Sequence, residues 1–165
     1  MENNTINKSS RHSKICGDFG EYWVCYNLSK LGFECNIYDH TGIDIIAFDP
    51  KRGEQMGISV KTRTTESNGK SNGGKNRNLQ IPNVHFSKID AICNKLNLFP
   101  YMAFVIDTKD SVFMFLMKKE YYLEMCPMGK SVSNFEMKDR DLQKYLSDVN
   151  IRHIQISDKN IKGFD

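Results

Sequence analysis

A chain of 165 residues, 39% hydrophobic and 26% charged, is long enough for one domain with a real core and too short for two. Lys and Arg number 23 against 20 Asp and Glu, so net charge alone does not argue for nucleic acid and the distribution of charge has to. Five cysteines, odd in number and without C-x-x-C spacing, read as reduced, mostly buried thiols rather than a disulfide framework or zinc site. With no apolar run near ~18 residues and no h-region at the N-terminus, these features point to a soluble, cytoplasmic protein with no membrane partner.

Residues 1–14 are polar, with Lys8, Arg11, His12 and Lys14 against Glu2 alone, and read as a flexible tail. A helix is expected over 19–31, ended by Lys30 in its last turn and Gly32 just after it. Val24, Cys25, Leu28 and Leu31 make one apolar face, and Phe19, Trp23 and Tyr26 another, which predicts a helix buried between layers. Glu21 heads the first face. A capping box of Asp18 with Glu21 would explain that acid structurally.

Residues 33–38 alternate apolar and polar, as in a strand with one solvated face, and 39–42 turn the chain into the next strand. Residues 43–48 are apolar apart from Asp44, as expected of a strand covered on both faces. Pro50, Lys51, Arg52 and Gly53 then form a tight turn, Pro presetting φ and Gly accepting the left-handed conformation. Asp49 thus faces Glu54, and counting back along the hairpin sets Asp44 opposite Ser59. Opposed residues have Cβ atoms about 5 Å apart on one side of the sheet. Lys61, two residues on, points to that side too, while Met56, Ile58 and Val60 point into apolar packing. An acid, a hydroxyl and an amine therefore gather on an otherwise apolar sheet, and a buried charge is costly unless paired or bound to metal. An Asp44–Lys61 ion pair is the simplest account of them.

Residues 65–80, crowded with Gly and Asn, read as a flexible loop unable to form a regular element. From 61 to 80 the basic residues Lys61, Arg63, Lys70, Lys75 and Arg77 face Glu66 alone, a distribution suited to a phosphate backbone or to a plain solvated loop. A short extended piece over 81–86 precedes a helix opened by Ser87 and Asp90, with Ile89, Ile92, Cys93 and Leu96 apolar. Strands follow over 101–106 and 111–117 about a hairpin at Thr108, Lys109 and Asp110, then helices over 118–125 and 139–149. A last strand spans 151–156, and 157–165 is a charged tail. His40 and His85, isolated in sequence, receive no role. The organisation is one domain over 15–156 between two tails.

The order helix, three strands, loop, helix, strand, with an acid in the second strand and a lysine ending the third, resembles the PD-(D/E)XK nuclease superfamily, in its Holliday-junction-resolvase-like and mobile-element branches. Gly17-Asp18-Phe19-Gly20-Glu21 is similar to the first-helix acid, Gly42-Ile43-Asp44-Ile45-Ile46 to the metal-binding strand, and Gly57-Ile58-Ser59-Val60-Lys61 to the strand ending in the catalytic lysine. The likeness covers 17–106. It implies a restriction-endonuclease-like α/β (α+β) fold, a mixed central sheet flanked by helices, and a metal-dependent DNA endonuclease. In that reading Glu21, Asp44, Ser59 and Lys61 are the catalytic set. Asp44, the Val60 carbonyl, Ser59 and Glu21 hold Mg²⁺, with Mn²⁺ as substitute. Lys61 orients the attacking water, and Arg63, Lys70, Lys75 and Arg77 hold DNA, with a homodimer left open. Ser59 departs from the motif's Glu or Gln, replacing a negative ligand by a neutral oxygen and weakening metal affinity. The alternatives are a catalytically weakened or inactive DNA-binding module of the same fold, and an interaction protein of a mobile element or defence system using residues 101–122.

Overall fold

The structure, a computed structural model, describes residues 9–65 and 78–157. Eight strands and four helices follow in the order α1 (His12–Lys30), β1 (Glu34–His40), β2 (Ile43–Asp49), β3 (Glu54–Thr64), β4 (Asn78–Pro82), α2 (Asn83–Leu96), β5 (Phe99–Asp107), β6 (Ser111–Lys118), α3 (Lys119–Met125), β7 (Val132–Glu136), α4 (Asp139–Ser147) and β8 (Arg152–Ser157). Six strands form the central sheet in the order β1-β2-β3-β5-β6-β8. Every pairing in it is antiparallel except β3 with β5, which the α2 crossover makes parallel.

The β2–β3 hairpin closes as its turn chemistry requires. Gly53 takes φ +65 and its N–H returns to the Asp49 carbonyl at 2.8 Å. Asp49 pairs with Glu54 and Ile45 with Ile58, the predicted register. One face of the sheet packs Ile45, Ala47, Met56, Ile58 and Val60 on Val24 and Leu28 of α1. The other carries α2, α3, α4 and the small β4–β7 sheet, where Phe135 of β7 stacks on Phe104 with ring centroids 3.9 Å apart.

Several expectations change. The helix begins at His12 rather than after a tail ending at residue 14, and Asp18 lies inside it, paired with Lys14 rather than capping. Of its aromatic face, Phe19 and Tyr26 are 38% and 55% exposed while Trp23 is half-buried against the core, so α1 is an outer layer and is not buried between layers. β2 is covered on its second side only in part: Ile43 and the half-buried Ile46 pack with the cluster that includes α2, while Phe48 is exposed. The segment expected to be loop through residue 80 becomes strand at Asn78, and α2 starts at Asn83, ahead of Ser87. Asp90 makes an ion pair with Lys119 instead of serving a cap. Strand β7 was not expected at all. Within residues 101–122 the apolar strand side chains are interior, with Phe104, Phe115 and Tyr122 fully buried, while the turn at Lys109 and Asp110 is exposed. Cys93 and Cys126 are buried, whereas Cys16, Cys25 and Cys35 are half-buried, and all five are unbridged. Among the described residues no helix is long and apolar enough to cross a membrane.

One ion pair ties this hairpin to the far edge of the sheet. The nearly buried Asp49 carboxylate receives Arg152 Nη2 of β8 at 3.0 Å and the Lys51 amide at 3.0 Å. Burial pushes its pKa up, but the Lys51 amide, Arg152 and the Arg52 amide outweigh that and hold it below the ordinary 3.8. Stability from a lowered carboxyl is fully present above 3.8 and disappears as pH falls through the folded value. Arg152→Ala is therefore expected to cost about 2 kcal/mol at neutral pH, with the gap from wild type closing below 3.8. Urea unfolding across pH measures it, and a pH-independent difference would show that packing rather than charge is lost.

Candidate active site

β3 outruns its partner. Backbone pairing between β2 and β3 ends at Ile45 and Ile58, while β3 continues beside β5 to Thr64. Beyond Ile58 the edge of β3 facing β2 has lost its ladder, and its polar groups need other partners. The Asp44 side chain supplies one: Oδ2 accepts the Val60 N–H at 2.6 Å. The N–H and C=O of one strand residue point to the same edge, so the Val60 carbonyl faces the same opening. Lys61 Nζ donates to that carbonyl at 3.2 Å and to Ser59 Oγ at 3.1 Å. Ser59 Oγ also lies 3.4 Å from Asp44 Oδ2. Asp44, Ser59, the Val60 carbonyl and Lys61 thus converge in the opening between two strands, and the bond from Lys61 runs to the neutral oxygens rather than to Asp44.

Glu21 arrives from α1. That helix sits close to β3 because Gly20 has no side chain; a Cβ there would stand 1.7 Å from Thr62 Oγ1 and 2.9 Å from Thr62 Cβ. His12 Nε2 reaches Thr64 Oγ1 at 3.3 Å, holding the start of α1 to the end of β3. Glu21 acts on the opening through its charge. Burial raises its pKa, and the neighbouring Asp44, Asp18 and Asp39 raise it further against Lys14. Burial lowers the Lys61 ammonium, and Asp44 and Glu21 pull it part of the way back.

A residue without an expected role completes the group. His85 on α2 brings Nε2 to 2.8 Å from Ser59 Oγ, a shorter contact than that with Asp44. Burial and the nearby Lys61 and Lys88 push it down to about 4, so the imidazole is neutral at pH 7. A signal was present in the sequence. Once α2 begins at Asn83, His85 falls on the helical stripe of Ile89, Ile92 and Leu96, a polar residue among core positions. His40, by contrast, stays at the surface, hydrogen-bonded to the Thr41 carbonyl.

Arg63 is exposed at the end of β3. A groove of about 340 Å³ runs beside it, lined by Lys61, Thr62, Arg63, Asn78, Leu79 and Gln80. Lys70, Lys75 and Arg77 lie outside the described residues. Among those described, no three His, Cys, Asp or Glu side chains stand ready around one metal position. The donors in the opening are nevertheless those of a hard divalent cation: one carboxylate, a carbonyl and a hydroxyl, with a second acid, Glu21, whose pKa burial and then the Asp44 charge raise. The Lys61 ammonium bonds to two of those oxygens.

No protein-family model matches the chain, and neither does any curated protein. Among solved structures it is similar to Archaeoglobus fulgidus Hjc, a Holliday junction resolvase from an archaeal hyperthermophile. The likeness has a TM-score of 0.55 at 14% identity, over 78% of this chain and 88% of that one. The chain has the restriction-endonuclease-like fold of that protein, a mixed α/β architecture with a mostly antiparallel sheet between helices.

In an ordinary helix Gly→Ala stabilises by up to about 1 kcal/mol. Here Gly20→Ala is expected to destabilise by about 1–3 kcal/mol, because rotating Thr62 Oγ1 away still leaves its Cβ at 2.9 Å. Adding Thr62→Ala removes Oγ1 and Cγ2 but keeps that Cβ, so it should recover only part of the loss. Urea melts of the single and double variants measure both; a stabilised Gly20→Ala would mean that α1 does not lie this close to β3.

Proposed function

We propose that the protein is a metal-dependent endonuclease that hydrolyses DNA phosphodiester bonds in the opening between β2 and β3. One observation carries this reading. In a fold shared with a Holliday junction resolvase, a carboxylate, a strand carbonyl and a lysine ammonium meet where the β2–β3 ladder ends. Asp44 and the Val60 carbonyl hold Mg²⁺ or Mn²⁺, with Ser59 and Glu21 completing the set. When bound, the cation supplies Lewis-acid polarisation of the scissile phosphate and a lowered pKa for water.

The chain's own groups do the rest. Lys61, released from the Ser59 and Val60 oxygens, positions the attacking water and donates to the developing negative charge on phosphorus oxygens. Its lowered pKa makes the neutral amine more accessible, so that it can take up the proton the attacking water gives up. Glu21 adds negative charge that favours the cation. Arg63 and the groove beside it bind the sugar-phosphate backbone without reading sequence, joined by Lys70, Lys75 and Arg77 of the basic segment. In this reading DNA is the partner, and pairing of two copies would present two sites to one branched substrate.

A second reading rests on Ser59. With a hydroxyl in place of a carboxylate and the Lys61 ammonium on its oxygen, the site also suits a module that binds DNA without cutting it. Purified protein incubated with duplex, branched and single-stranded DNA in Mg²⁺ or Mn²⁺ separates the two. Cleavage is expected on at least one substrate, falling by about 10²-fold or more in Asp44→Ala and in Lys61→Ala. Salt-sensitive binding indifferent to EDTA, with no cleavage of any substrate, would overturn the nuclease reading in favour of the binding module.

A further inference from the structure

We infer that His85 is a metal ligand: its imidazole, delivered from α2, takes the coordination place that Ser59 leaves without a carboxylate. The inference rests on the nuclease reading's metal site and adds a donor and a metal preference to it. His85 Nε2, Ser59 Oγ and Asp44 Oδ2 form a connected set with separations of 2.8 and 3.4 Å about the hydroxyl, and Lys61 Nζ sits 3.1 Å from that hydroxyl and 3.2 Å from the Val60 carbonyl. Neighbouring ligand atoms on an octahedral ion with bonds of ~2.1 Å are about 3 Å apart, so the His85–Ser59 and Ser59–Asp44 separations suit two edges of one coordination polyhedron. The Lys61 ammonium, a cation, bonds to the hydroxyl those two edges share.

The two layers that flank the sheet divide the task. Carboxylates come from β2 and α1, and the nitrogen comes from the first turn of α2, where the helix is seated by Phe86 and Ile89 in the core. An oxygen-only site favours Mg²⁺, whereas one imidazole shifts preference toward Mn²⁺ and Co²⁺ and penalises the hard alkaline-earth ions. A chain that exchanges a carboxylate for His85 therefore keeps a divalent site while changing which ion fills it.

The test is electron spin-echo envelope modulation of the full chain loaded with Mn²⁺, alongside Mn²⁺ and Mg²⁺ affinities by titration. Directly coordinated ¹⁴N modulation is expected in wild type and absent in His85→Gln, with Mn²⁺ affinity falling about 10- to 100-fold and Mg²⁺ affinity changing far less. Combining Ser59→Glu with His85→Gln should restore Mn²⁺ binding without the nitrogen signal, which guards against a variant that merely misfolds. Mn²⁺ bound in wild type and lost in Asp44→Asn, but without ¹⁴N modulation, would overturn the role of His85 while leaving the metal site standing. No Mn²⁺ binding by wild type would overturn both.

Discussion

The site depends on one hydrogen bond, that between the Val60 amide and the Asp44 carboxylate. At 2.6 Å and charge-assisted, it takes the place of a backbone bond that an unbroken antiparallel ladder would supply. Because a side chain satisfies the amide, β2 and β3 can part after Ile45 and Ile58 without leaving a buried N–H unpaired. The parting turns the Val60 carbonyl into an available ligand and gives Lys61 room to fold back on it. A fully zipped hairpin would be a better sheet and would have no site.

Around this opening the helical layers are placed by contacts too close for ordinary side chains. Gly20 brings α1 against Thr62, and Gly57 leaves space under Cys93 of α2, whose sulfur would stand 2.6 Å from an added Cβ. The helices therefore lie near enough to the sheet to contribute Glu21 from one side and His85 from the other. Electrostatics then sets the tension: burial and the nearby Asp44 raise the cost of charging Glu21, and burial lowers the Lys61 ammonium against the pull of both acids.

The hairpin was legible in sequence because its register is a local property. Pro50 and Gly53 define the turn, and once Asp49 faces Glu54 every other pair follows, including the side of the sheet on which Asp44, Ser59 and Lys61 meet. What escaped depends on distant contacts. The first turn of α1 is polar and looked like tail; its tie is His12 to Thr64, more than fifty residues away. β7 escaped because an inward position is Ser133, whose hydroxyl is satisfied by the Tyr122 hydroxyl and the Cys126 carbonyl, so apolar alternation was broken by a residue paired only in the fold. His85 escaped through the late start assigned to its helix; placing the boundary at Pro82 moves it from a loop to an inward stripe.

The central claim is that the space between Asp44 and the Val60 carbonyl is a cation site held open by that carboxylate–amide bond. Its most direct measurement is a crystal structure of the protein soaked in Mn²⁺, with the ion located by anomalous scattering. The account predicts an anomalous peak within bonding distance of an Asp44 carboxylate oxygen and the Val60 carbonyl, with Lys61 Nζ withdrawn from both oxygens it now touches. A Mn²⁺-soaked crystal with no peak there, and Lys61 still hydrogen-bonded to Ser59 and Val60, would contradict it.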